Sequence, residues 1–116
     1  MSTEEIFKPY YLAPKYKVGN MGTIIGIYGK ILKPVLHRKN NGYYKVFICN
    51  GKIRNLFVHR IVAEVHLNDN KPIPAGYQVN HINKITNINS AENLEIITQY
   101  ENIQHRSFGI KENLPF

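Results

Sequence analysis

The sequence lacks several features that common protein classes require. Its single cysteine, Cys49, excludes both a disulfide framework and a zinc ribbon built from paired Cys-x-x-Cys motifs, and it favours a reducing compartment. No run approaches the roughly 20 apolar residues of a membrane-spanning helix. The first five residues are acidic where a secretory signal would be basic. We therefore expect a soluble, cytoplasmic protein with no membrane association.

Acidic residues are scarce in the first half of the chain. Residues 1–60 contain 11 Lys or Arg against 2 Glu, a net charge of +9, whereas residues 61–116 contain 4 Lys or Arg against 6 acidic residues, a net charge of −2. This distribution predicts that a polyanion such as nucleic acid binds mainly to the first half. A basic surface can also serve solubility alone, and charge by itself leaves both interpretations open.

The first half shows the patterns of short β-strands. With 116 residues and 43% apolar content, the chain is long enough for one domain with a modest core. Two apolar stretches separated by Gly and Asn within residues 16–28 predict a strand, a tight turn and a second strand. The runs 43–49 and 52–57 flank Asn50-Gly51, which predicts a hairpin with a type I′ turn.

A helix is predicted after this hairpin. Apolar residues recur at i, i+3, i+4 and i+7 from Val58, so residues 58–67 should form an amphipathic helix that buries one stripe. His59, Arg60 and Glu64 fall off that stripe, and His59 is expected to be a packing or backbone-bonding residue and not a catalytic one.

The remaining pattern completes an α+β fold. Strands are predicted near residues 77–82 and 94–98 with a polar loop between them, and the capping box Thr98-Gln99-Tyr100-Glu101 should start a helix that runs to about Arg106. The expected order is short antiparallel strands and a hairpin at the N-terminus, one amphipathic helix, and then a ββα unit. We divide the chain into a β-rich motif (7–57), a helix plus ββα unit (58–106) and an irregular tail (107–116).

A sparse set of polar residues lies in the ββα unit, namely Asn80, His81, Asn93 and Asn102. An imidazole can take a proton from water, and amide oxygens can bind a hard divalent cation, a combination that suits phosphodiester hydrolysis. Each residue also has a structural alternative. His81 could be a hydrogen-bonded core histidine, Asn93 could bridge loop amides, and Asn102 could be a solvated helix position.

This part of the chain resembles the phage-type HNH endonucleases, which share the ββα-metal fold. The resemblance is carried by Val79-Asn80-His81-Ile82-Asn83, Asn93-Leu94-Glu95 and Glu101-Asn102. Upstream, the chain is similar to the small β-rich DNA-binding motif that commonly precedes this domain in homing endonucleases. The fragments that carry this second likeness are residues 16–22, 29–34, 42–43 and 58–63.

The resemblance implies a metal-dependent DNA endonuclease that nicks double-stranded DNA. In the family pattern, His81 would be the general base and Asn93 would orient the imidazole or the scissile phosphate. Asn80 and Asn102 would be ligands of Mg²⁺, or of Mn²⁺ in its place. One base and one metal suit a single cut, so we expect a monomer, with a dimer left open. If the chain is phage-encoded, the compartment is the cytoplasm of a bacterial host.

The implied partner is double-stranded DNA, held by basic residues that are spread over strands, turns and the last helix. The residues expected to contact it are Lys15, Lys17, Lys30, Lys33, Arg38, Lys39, Lys45, Lys52, Arg54, Arg60, His105 and Arg106. Phosphate contacts of this kind would hold the duplex in register.

Two departures from the family pattern support an alternative function. Asn83 stands where the family has an aspartate, and Ile85 stands where some relatives have a histidine. The alternative is a non-catalytic DNA-binding or regulatory protein on an eroded HNH scaffold. RNA binding is less favoured, because the chain has no stacking pattern typical of single-strand RNA modules.

Overall fold

Three small antiparallel sheets pack against one helix, which confirms the expected α+β class. The computed structural model describes residues 4–37, 42–98 and 100. Its strands are β1 (Phe7–Tyr10), β2 (Ala13–Gly19), β3 (Ile24–Ile25), β4 (Val35–His37), β5 (Tyr43–Cys49), β6 (Ile53–Phe57), β7 (Tyr77–His81) and β8 (Leu94–Thr98), and its helix is α1 (Val58–His66). A single 3₁₀ turn, Ala91–Asn93, precedes β8. The sheets have the strand orders β1-β2-β3, β4-β5-β6 and β7-β8.

The apolar stripe of α1 forms the centre of the core, as its spacing predicts. Val58, Ile61, Val62 and Val65 are each at most 1% exposed. They pack against side chains that the three sheets direct inward, because alternate residues of a strand point to the same face. The sheet residues of this cluster are Tyr10, Ala13, Tyr16, Val18, Ile24, Val46, Ile48 and Leu94.

The buried surface of α1 is wider than the stripe predicted from the sequence. His59 and Glu64, which lie off that stripe, are only 6% and 7% exposed. Glu64 lies under the first sheet, where the Tyr10 hydroxyl donates to its Oε1 at 3.3 Å, and burial raises the pKa of this carboxyl. The stripe does not account for these two positions because sheets pack on several sides of one short helix, and an amphipathic pattern describes only one buried side.

The loop between β5 and β6 also differs from the prediction. Cys49 pairs with Ile53, so the connection contains three residues and not two. Gly51 has a φ of 85°, whereas Asn50 is outside the positive-φ region. A type I′ turn needs positive φ at both central residues, so this turn is of another kind. Two strands were not predicted at all: β1, and β4, which contains His37 where we expected a loop.

The turn between β2 and β3 packs against the loop that precedes β8. The Ala91 backbone N–H donates to the Asn20 carbonyl at 2.7 Å. Gly22 has a φ of +98°, and a Cβ at this position would lie 3.2 Å from the Asn89 carbonyl oxygen. A side chain is therefore excluded here on two grounds, backbone conformation and space. The N-terminal sheet thus supports the loop that carries Asn89.

No helix among the described residues is long and apolar enough to cross a membrane. Most of the helix expected between Thr98 and Arg106 falls beyond the described part of the chain. The same holds for five of the expected site residues, namely Arg38, Lys39, Asn102, His105 and Arg106.

The central position of α1 leads to a stability prediction. Ile61→Ala should lower the free energy of unfolding by about 2–5 kcal/mol, because it removes methyl groups from a side chain that is 1% exposed and leaves a cavity. The same substitution at Ile53, which is 72% exposed, should change it by less than about 0.5 kcal/mol. Urea denaturation of both variants measures the difference. Equal losses would contradict the placement of the core.

Candidate active site

The hairpin of β7 and β8 presents Asn80 and His81 on opposite faces. Asn80 pairs with Glu95 and His81 pairs with Leu94 in a regular antiparallel register. Because successive side chains on a strand alternate, His81 faces the core together with Leu94, and Asn80 shares the other face with Glu95. His81 is the last residue of β7. The two side chains therefore lie on opposite faces near the end of the strand.

The His81 ring is held by a buried hydrogen bond and by two neighbouring rings. Its Nε2 lies 2.7 Å from Asn89 Oδ1, and the residue is 3% exposed. The Tyr43 ring stacks on it with centroids 5.7 Å apart and an interplanar angle of 14°. The His59 ring lies 5.0 Å away on a tilted plane. These contacts come from β5, from α1 and from the loop before β8, so three separate segments fix the imidazole.

The asparagine that contacts the imidazole is Asn89, which sequence reasoning missed. The Asn93 side chain instead bridges loop amides, since its Oδ1 accepts from the Asn83 backbone N–H at 3.1 Å and its Nδ2 donates to the Ile88 carbonyl at 2.9 Å. These contacts match the structural alternative considered for Asn93. Asn89 belongs to no recognised motif, and its distinguishing feature is that it is 8% exposed in a loop that is otherwise largely open to solvent.

His59 is a second buried imidazole beside the first. Among the residues that the structure describes, its Nδ1 is a buried polar atom without a hydrogen-bond partner. Burial, with smaller effects from the neighbouring His81 and Arg60, lowers the pKa of His59 to about 3. His59 is therefore neutral at physiological pH. Its ring packs between aromatic neighbours, with Tyr43 at 4.7 Å and Phe57 at 5.6 Å between centroids.

Asn80 and Glu95 place an amide oxygen and a carboxylate on the outer face of the hairpin. Asn80 Nδ2 donates to Glu95 Oε2 at 2.7 Å, and both residues are half-buried. Within residues 4–37 and 42–98, no three His, Cys, Asp or Glu side chains are grouped to hold a metal. Amide and carboxylate oxygens suit a hard cation such as Mg²⁺, which keeps several waters and needs few protein ligands. The described oxygen ligands therefore fit a hard cation of this kind.

Two of the expected DNA contacts, Lys45 and Arg54, lie on opposite faces of the second sheet. Lys45 lies two residues from Tyr43 on β5 and therefore shares its face, and its Nζ is 5.9 Å from the Phe47 ring centroid. Arg54 pairs with Ile48, on the opposite face. Lys45 and Arg60 are half-buried, and the other described members of the set are exposed, namely Lys15, Lys17, Lys30, Lys33, Lys52 and Arg54. Lys45, the basic residue of β5, is therefore two positions from Tyr43, whose ring stacks on His81.

Comparisons with known proteins link the chain to HNH endonucleases. No family model matches the sequence. Over 94 residues, or 78% of this chain, the sequence is 36% identical to an uncharacterized HNH endonuclease of Acanthamoeba polyphaga mimivirus, and the chain spans 23% of that protein. The fold is similar to a solved structure of the HNH homing endonuclease I-HmuI, described as showing DNA binding and cleavage. That match has a TM-score of 0.75 and 26% identity, and it covers 96% of this chain and 62% of the other.

The burial of His59 predicts an acid-sensitive stability. The unfolded chain binds a proton at His59 near pH 6.5, whereas the folded chain does so only near pH 3. The free energy of unfolding should therefore fall as the pH drops below about 6.5, by up to about 1.4 kcal/mol per pH unit from this residue. Above pH 6.5 the contribution is constant.

Urea denaturation at pH 7 and pH 5 tests this prediction with His59→Phe, which keeps an aromatic ring and cannot bind a proton. The variant should lose less stability between the two pH values than the wild type. Other titrating groups, such as His66, are common to both proteins. An identical loss in the two proteins would contradict the burial of a neutral imidazole at this position.

Proposed function

The chain belongs to the HNH endonuclease family, and we propose on this premise that it is a metal-dependent endonuclease that nicks double-stranded DNA with His81 as the general base. The observation that carries the proposal is the 2.7 Å hydrogen bond between His81 Nε2 and Asn89 Oδ1. An amide oxygen only accepts, so Nε2 carries a hydrogen, and in the neutral ring Nδ1 then retains the lone pair. A general base requires this tautomer to be held in one orientation.

In the proposed reaction, His81 Nδ1 takes a proton from water as the water oxygen forms a bond to phosphorus. The bond from phosphorus to the 3′ oxygen breaks, and that oxygen takes a proton from solvent. Because His81 is only 3% exposed, the attacking water must occupy the site itself, between the ring and the phosphate. General-base catalysis supplies about 10²- to 10⁴-fold acceleration. Positioning and charge stabilisation must supply the remainder.

The cation belongs on the other face of the hairpin end. Asn80 would hold it together with Asn102, which lies outside the described residues. When bound, a divalent cation such as Mg²⁺ or Mn²⁺ stabilises the negative charge that develops on the phosphate. Asn80 and His81 can act on one phosphate only past the end of β7, where the alternation of faces no longer separates them. The proposal therefore requires the DNA backbone to pass across this end.

The loop at Asn83 forms its hydrogen bonds without a carboxylate at this position. Its Oδ1 accepts from the Ile85 backbone N–H at 2.9 Å, and its own backbone N–H donates to Asn93 Oδ1. An amide oxygen supports this turn as well as a carboxylate oxygen would. The departure from the family aspartate is thus compatible with an intact loop, which favours the catalytic proposal over the eroded scaffold.

The DNA would lie against the basic first half of the chain. Lys45 shares a face of β5 with Tyr43, whose ring stacks on His81, so Lys45 would contact phosphates near the scissile bond. These contacts are sequence-independent and should make binding strongly dependent on salt.

The central test is nicking of supercoiled plasmid in Mg²⁺ or Mn²⁺ by the wild type, His81→Ala and the control His37→Ala. His81→Ala should lower the nicking rate by at least about 10²-fold, because the base is lost. DNA affinity, measured by fluorescence anisotropy at fixed salt, should remain within about twofold. His37→Ala should nick at close to the wild-type rate.

Full cleavage by His81→Ala would remove His81 from the mechanism. Salt-dependent DNA binding by the wild type without cleavage in any divalent metal would instead support the non-catalytic DNA-binding protein.

A second test concerns Asn89 as a positioning residue for the imidazole. Asn89→Ala removes the acceptor of the Nε2 hydrogen and should lower kcat by about 10- to 100-fold with little change in KM, since substrate binding is unaffected. Asn89→Asp keeps an acceptor oxygen and should recover most of the rate. A loss of rate that is the same for both variants would contradict this role.

A further inference from the structure

The contact between Glu95 and Asn80 suggests a role in cation binding that rests on the proposed function. We propose that Glu95 is the positioning residue for Asn80, fixing which end of its amide faces the cation and supplying negative charge beside a neutral ligand. The two residues are direct cross-strand partners, and Asn80 Nδ2 donates to Glu95 Oε2 at 2.7 Å. This is the short distance of a charge-assisted hydrogen bond.

The chemistry of the pair determines the orientation of the amide. An ionised carboxylate only accepts hydrogen bonds, so the amide must turn its NH₂ group toward Glu95. Oδ1 then lies on the opposite side of the planar amide, away from the carboxylate. The reversed amide would place Oδ1 against two carboxylate oxygens with no hydrogen between them. Without Glu95, Asn80 could present either its oxygen, which binds a cation, or its NH₂ group, which repels one.

The same carboxylate supplies charge that Asn80 lacks. An amide oxygen is a weaker ligand for a hard cation than a carboxylate oxygen, because it carries no net charge. β7 itself has no acidic residue, and Glu95 is the acidic residue of β8. Both partners are half-buried, so solvent screens this charge less than it would at the surface. Glu95 therefore places one negative charge next to the neutral ligand without occupying the ligand position.

A purely structural cross-strand pair would behave differently. Its loss would change the stability of the hairpin and leave the affinity for the cation unaltered. The proposed role instead predicts a change in cation affinity that a carboxylate at position 80 can restore, because aspartate has no NH₂ end and carries its own charge.

The experiment measures Mn²⁺ binding by the loss of the free-ion electron paramagnetic resonance signal. The full-length protein is bound to a DNA duplex in the His81→Ala background, which prevents cleavage during the titration. Glu95→Gln should raise the Kd for Mn²⁺ by about 10- to 100-fold, the usual effect of removing a residue that orients a metal ligand. Asn80→Asp combined with Glu95→Gln should return the Kd to within about threefold of the parent.

Glu92→Gln is the matched control. It makes the same change of charge in the 3₁₀ turn before β8, on an exposed side chain. It should shift the Kd by less than about twofold, since a solvated charge outside the site is screened. Urea denaturation of each variant establishes that it is folded under the conditions of the titration.

The outcomes separate this inference from the proposed function. If the wild type nicks plasmid but Glu95→Gln binds Mn²⁺ as tightly as its parent, only the role of Glu95 is overturned. A weakened Kd that Asn80→Asp does not restore also overturns it, as does an equal weakening by Glu92→Gln. If the wild type neither nicks plasmid nor binds Mn²⁺ on DNA, the proposed function itself fails.

Discussion

The register between β7 and β8 is the constraint on which the candidate site depends. One pairing places the His81 ring on the core side and the Asn80 amide on the outer side, because side chains alternate along a strand. A slip of one residue would exchange the two faces and would move the imidazole away from Asn89. The register is protected by Leu94, which is 4% exposed and would leave the core in such a slip. Core packing and site geometry therefore depend on the same pairing.

The buried side of the site is assembled from distant parts of the chain. Tyr43 and His59 reach His81 from β5 and from α1, and the turn at Gly22 packs against Asn89. The Thr86 hydroxyl adds a further link by donating to the Gly42 carbonyl at 3.0 Å. The β-rich first half thus does more than carry positive charge, since it also forms part of the wall behind the imidazole. Changes in that half can alter the site without touching the polar frame.

The two faces of the hairpin have different electrostatic environments. His81 lies among neutral aromatic and imidazole rings, where burial keeps His59 uncharged. Asn80 lies beside the Glu95 carboxylate, on the side that would face a cation. A general base needs a free lone pair, whereas a bound cation needs negative charge nearby. Because one strand separates the two environments, the hairpin can provide each of them on its own face. In the proposed reaction, the end of the strand is where the two groups would meet one phosphate.

Local patterns in the sequence were sufficient to predict α1, the hairpin of β5 and β6, and the positions of Asn80 and His81. Each of these features depends on periodicity or spacing within a short segment. Only the tertiary structure showed that Asn89 and not Asn93 contacts the imidazole, that Asn80 donates a hydrogen bond to Glu95, and that Tyr43 and His59 flank His81. It also showed that His59 and Glu64 are buried and that the Asn50-Gly51 turn is not of type I′. These features depend on which segments meet in space, and no local period encodes a contact between residues on different sheets.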